Sequence, residues 1–110
     1  MRVEVDGNVL YVFDSLFKTH RGARRELTWN EFCKAMTSLG CGYEPAASGG
    51  SARVFTTPAV FGHIAVHFHE PHGKQRKLDD SIQNQMAHAL KYEYGWQDIV
   101  FVLKAPAERA

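Results

Sequence analysis

The stretch "IAVHFHE", Ile64 to Glu70, alternates without a break: Ile64, Val66 and Phe68 fall on one side, Ala65, His67 and His69 on the other. Successive side chains of an extended strand point to opposite faces. One face of this segment is therefore apolar and meets a core, while the other is polar and meets water. A strand of this kind belongs to a sheet covered on one side, so the flanking sequence has to supply partner strands and a cover.

Both are present. Upstream, "SARVFTTP" (51–58) is rich in strand-favouring residues and is ended by Pro58. Pro45, Gly49 and Gly50 punctuate the turn-rich stretch before it. Downstream, Leu78, Ile82, Met86, Leu90 and Tyr94 recur at helical spacing until Gly95 stops the run, which predicts a helix from Leu78 toward Trp96. A last apolar run, "DIVFVLK" (98–104), reads as a short strand, and the tail at 105–110 should fray.

Thr28-Trp29-Asn30-Glu31 has the form of a capping box, in which the threonine oxygen and the glutamate carboxylate each satisfy a first-turn amide. Phe32, Ala35, Met36 and Leu39 then line one face, and Gly40 stands where a left-handed residue ends a helix, giving a helix over 29–39. Val9, Leu10, Val12, Phe13, Leu16 and Phe17 predict another over 8–18, capped by Asp6 or Asn8. A hairpin around Asp6-Gly7, pairing Val3 and Val5 with Val9 and Tyr11, competes with it. The wide apolar stripe favours the helix. Residues 19–26, "THRGARRE", form a polar, basic loop.

The resulting order predicts an α+β, two-layer domain: a three-stranded antiparallel sheet with helices on one face, an extra N-terminal helix and a C-terminal edge strand. The chain divides into 1–27 (helix and basic loop), 28–104 (the α+β unit) and the tail at 105–110. At 110 residues, with 45% hydrophobic and 23% charged content, it can build one core unaided. Two cysteines, Cys33 and Cys41, make no disulfide framework, and no apolar run suits secretion or approaches the roughly 20 residues of a membrane span. The expectation is an intracellular protein, cytoplasmic or nuclear, with free thiols and no membrane partner. The early Asp6-Gly7 followed by a helix is equally compatible with a piece of a longer chain.

The net charge of +1 conceals clustering. Lys18, Arg21, Arg24 and Arg25 lie in one segment and Lys74, Arg76 and Lys77 in another. Such runs grip phosphates or merely solvate a surface. The densest polar feature is "HFHEPH" (67–72), which holds three of the six histidines. His67 and His69 share a strand face, and Pro71 turns the chain so that His72 can fold back toward them. Three readings stand. A His-x-His strand supplies two zinc ligands, with His72 a third. Two imidazoles supply the base and the acid for cleaving an RNA phosphodiester, with Lys74, Arg76 and Lys77 steadying the transition state. Or the histidines occupy the wet face of a half-covered sheet, the reading that strand physics alone favours. Trp29 and Phe55 can stack on bases, although core positions suit them better. "SGGS" (48–51) fits a hairpin turn better than an anion cradle.

Taken in order, "WNEFCKAMTSLGC", "GGSARVFTTP", "IAVHFHEPH" and a helix ending "YGW" resemble a fungal group of domains related to the HicA-type toxins. The motifs that carry the resemblance are Leu39-Gly40-Cys41, Gly50-Ser51, Phe68-His69-Glu70-Pro71-His72 and Tyr94-Gly95-Trp96, and it covers roughly 28–102. It implies a fold like that of double-stranded-RNA-binding domains: a helix, three antiparallel strands and a helix, with both helices on one face. It also implies messenger-RNA cleavage by a histidine directly after the Gly-Ser turn, where this chain has Ala52. Alanine carries no proton to exchange.

The function expected from these readings is RNA binding without a cofactor. Arg53, His67, His69, His72, Lys74, Arg76 and Lys77 form the contact surface, with Arg21, Arg24 and Arg25 as a second patch. Residual metal-independent ribonuclease activity would use His67, His69 and His72. A protein-interaction or homodimerisation module, with "DIVFVLK" pairing at a sheet edge, is the alternative, and a metal-dependent hydrolase built on the three histidines is the third reading.

Overall fold

A computed structural model describes residues 1–105. The centre of the fold is a three-stranded antiparallel meander of β3 (Gly42–Pro45), β4 (Ala52–Thr56) and β5 (Ala65–His69), in that spatial order. Its register sets Tyr43 opposite Phe55, Phe55 opposite Val66 and Arg53 opposite Phe68, so these side chains share one face. Ala52, Val54, His67 and His69 share the other. The alternation read in 64–70 is thus the actual division, with Val66 and Phe68 buried and Ala65, His67 and His69 exposed.

Helix α2 (Trp29–Ser38) covers the apolar face. Phe32 meets Phe55 and Phe68 edge-on, with ring centres 5.4 and 5.7 Å away, and Trp29 lies 5.7 Å from Phe55. Trp29 and Phe55 are core residues, closed to any base. The helix begins as its sequence requires: the Glu31 amide donates to Thr28 Oγ1, and the Thr28 amide donates to Glu31 Oε1. It ends in the paired-bond Schellman closure, with Gly40 N–H donating to Thr37 C=O and Cys41 N–H to Met36 C=O. Gly40 is left-handed (φ 94°), and a β-carbon there would also press on Pro58.

Helix α1 spans Gly7–Leu16, two residues short of the predicted end, with Asp6 as its cap. Helix α3 spans Asp80–Tyr92, inside the predicted 78–96. Asp79 caps it, and the chain leaves it before the left-handed Gly95. Between the helices, a two-residue ladder of β2 (Leu27–Thr28) and β6 (Lys77–Leu78) holds the starts of α2 and α3 together.

The predicted C-terminal strand forms as β7 (Val100–Leu103), but its partner corrects the expectation. It pairs in parallel with β1 (Arg2–Val5), whose Val3 and Val5 the competing hairpin sets against Val9 and Tyr11, and the two make a separate sheet. "RVEV" is only four residues long, and its mate lies at the far end of the chain, so no local signal announces that pairing. Phe101 of β7 stacks on Phe13 of α1 at 4.2 Å, and Trp96 joins Phe13 to Phe61. One hydrophobic core therefore runs from this ribbon through α1 to the meander. The tail expected to fray lies, beyond Ala105, outside the described residues.

Candidate functional site

The chain turns sharply after β5. Pro71 follows Glu70, and Gly73 (φ 105°) and Arg76 (φ 46°) adopt left-handed conformations before β6 begins. That path carries His72 back beside the strand. His67, His69 and His72 line a single cleft of about 420 Å³ along the β5 edge, together with Ser51 from the meander turn. Its opposite wall comes from α3, through Ile82, Gln85, Met86 and Ala89. The site has a polar side bearing three imidazoles and a hydroxyl, and a mainly apolar side.

Two contacts order the polar side. Ser51 Oγ lies 3.1 Å from His69 Nδ1. The His67 amide donates to the Tyr94 hydroxyl (3.1 Å), so the end of α3 is fastened to the outer edge of β5. Ser51 and Tyr94 were quoted in the sequence only as parts of turn and helix motifs, and nothing in their spacing foretold these pairings. Ala52 stands directly across from His69 in the register. In an antiparallel pair such opposed side chains share a face at about 4.5–5.5 Å, so Ala52 and His69 are same-face neighbours. Among the described residues no three His, Cys, Asp or Glu side chains are grouped to hold a metal ion. Both thiols are pushed up to about 11, chiefly by burial, so Cys33 and Cys41 stay protonated at neutral pH and supply no nucleophile.

The cations are distributed differently from the histidines. Glu70, on the covered side of the sheet, is gripped by Arg53 and Arg76 at 3.1 Å each, and Arg53 also donates to the Gly50 carbonyl. Arg76 is doubly committed, because its own carbonyl accepts the Trp29 amide (2.8 Å). Lys77 pairs with Glu26 at 2.7 Å, which holds the Glu26 carboxyl below its usual range. Arg24 binds Asp80, Asn84 and the Leu16 carbonyl. At 100° per residue, Asp80 and Asn84 lie on the face of α3 opposite to the one that lines the cleft. Arg25 donates to the Tyr11 carbonyl and lies over the Tyr11 ring. Lys74 and Arg21 are exposed and paired with no carboxylate among the described residues. Of the predicted contact set, the structure gathers the three histidines, with Lys74 two residues beyond His72. It fastens Arg53, Arg24 and Arg25 into the fold, and it leaves Arg76 and Lys77 about half exposed in surface ion pairs.

No family model matches the sequence, and comparison with curated proteins and with solved structures likewise gave no match.

Proposed function

We propose that this chain is a HicA-like, RNA-binding domain that engages RNA at the histidine-lined cleft, without a metal ion, and that cleaves it slowly or not at all. The observation that carries the reading is the convergence of His67, His69, His72 and Ser51 on one cleft. Imidazole and hydroxyl groups suit phosphate oxygens and 2′-hydroxyls, while Ile82, Met86 and Ala89 offer an apolar wall to a base. The order α2, β3–β4–β5, α3 supports the finer fold assignment. With so many arginines held in internal contacts, the electrostatic share of binding is small and most of the selectivity rests on the cleft. His69 is the residue best placed to exchange a proton, since it stands beside Ser51 and across from Ala52.

An electrophoretic shift with structured RNA, titrated with salt, tests the proposal. Binding at low ionic strength should fall by about tenfold in the His69→Ala/His72→Ala double variant. It should change less in Arg24→Ala, whose guanidinium is largely buried on the face of α3 away from the cleft. Absence of binding at low ionic strength overturns the reading. Should slow cleavage be seen in the presence of a chelator, His69→Ala should remove it.

A further inference from the structure

The β1–β7 ribbon carries an unpaired edge with a self-complementary pattern. Val100 N–H donates to Met1 C=O, and Lys104 N–H donates to Val5 C=O. The odd-numbered residues of β1 therefore direct their backbone groups at β7, and Arg2 and Glu4 direct theirs at the open side. A groove of about 530 Å³ borders β1, lined also by Ser38, Leu39, Val60, Phe61 and Lys104. The large apolar side chains Met1, Val60, Val100 and Leu103 are all exposed around the ribbon. An open edge with apolar surroundings invites another strand, and natural sheets usually guard against this with charge. Here the charges alternate in sign, Arg2 then Glu4, with Val3 between them.

We infer that β1 pairs antiparallel with β1 of a second copy of this chain, about a two-fold axis at Val3. In that register Arg2 stands opposite Glu4 of the second copy, and Glu4 stands opposite its Arg2. Both are hydrogen-bonded positions, because these are the residues whose amides and carbonyls face outward, so four backbone bonds join the copies. Each directly opposed ion pair lies on one face of the new sheet, where unlike charges stabilise and like charges destabilise. A closed two-fold contact uses the same patch twice, and "RVEV" matches itself only when reversed in this way. The result is a continuous four-stranded sheet, β7–β1–β1–β7, with Val100 and Val102 flanking the join. The open edge of β7 has no such charge pattern and is the poorer candidate. The inference does not depend on RNA binding.

Sedimentation equilibrium of the full chain without RNA tests it. The protein should dimerise reversibly. Arg2→Glu and Glu4→Arg, each setting like charges opposite one another, should weaken association by about tenfold or more. The double variant Arg2→Glu/Glu4→Arg restores opposite charges and should dimerise again, and an equimolar mixture of the two single variants should form the mixed dimer. These exposed positions leave the core intact, and circular dichroism verifies that. A monomer at every concentration overturns the inference, as does a dimer indifferent to either reversal or a double variant that remains monomeric.

Discussion

The meander β3–β5 and the ribbon β1–β7 each pack a sheet against a helix, but they are joined differently. The meander links strands that follow one another in sequence, and its central Phe55 is wholly buried among Trp29, Phe32, Tyr43 and Phe68. The ribbon joins the two ends of the described chain in parallel, an arrangement that no short turn can make. Its Phe101 remains partly exposed, and beside it the Trp96 indole N–H is buried with no acceptor among the described residues. Closing so long a loop costs chain entropy before any contact is gained, so the ribbon depends on the rest of the fold being in place. Local sheets can stand on their own packing. The ribbon is held by what lies beneath it.

The largest expected effect tests that contrast directly. Phe55→Ala should lower stability by about 3–5 kcal/mol, because the space vacated by a central ring cannot collapse fully. Phe101→Ala should cost less than half as much, since its ring is partly in water already. Urea denaturation followed by tryptophan fluorescence measures both. Equal losses would mean that the ribbon is as integral to the core as the meander.

The second prediction concerns the joint between the two regions. Gln83 of α3 is buried, donating to the carbonyls of Arg25 (2.7 Å) and Leu78 (2.8 Å) and accepting from Ser15 Oγ (2.7 Å). The Ser15 oxygen in turn accepts the Arg25 amide at 2.9 Å. One side chain thus satisfies two backbone carbonyls, of the basic loop and of β6, and the Ser15 hydroxyl of α1 at once. Gln83→Ala should cost about 3 kcal/mol, as buried polar groups lose their partners. The same denaturation experiment reads it. A loss below that of Phe101→Ala would show that the joint contributes little.

This joint also marks where sequence reading stops. The capping box at Thr28, the left-handed Gly40 and the alternation of 64–70 are signals contained within a few residues, and each is realised. Gln83 gave no signal, because a polar residue at a helical position looks exposed until two backbone carbonyls and the Ser15 hydroxyl converge on it. "RVEV" suggested only a local hairpin, because its true partner, Val100–Leu103, lies at the other end of the described chain. The same limit divides the candidate site. His67 and His69 share a face by strand geometry alone, so that pairing was legible. Which cations stand free was not, because the commitments of Arg53 and Arg76 to Glu70, and of Arg24 to Asp80 and Asn84, depend on long-range packing.

The smallest effect separates the two strand edges. At β5 the outward amide of His67 is occupied by the Tyr94 hydroxyl, whereas at β1 the outward groups of Arg2 and Glu4 meet no further strand among the described residues. A single phenol therefore closes one edge against a further strand and leaves the histidine cleft beside it accessible to a ligand. Tyr94→Phe keeps the ring packed on Phe68 and removes only the hydroxyl, so stability should fall by about 1 kcal/mol. The specific readout is amide exchange. His67 N–H should exchange faster in the variant, while the amides of Val66 and Phe68, which face β4, keep their protection. Unchanged exchange at His67 would mean that the hydroxyl does not guard this edge, and the contrast with β1 would then rest on charge pattern alone.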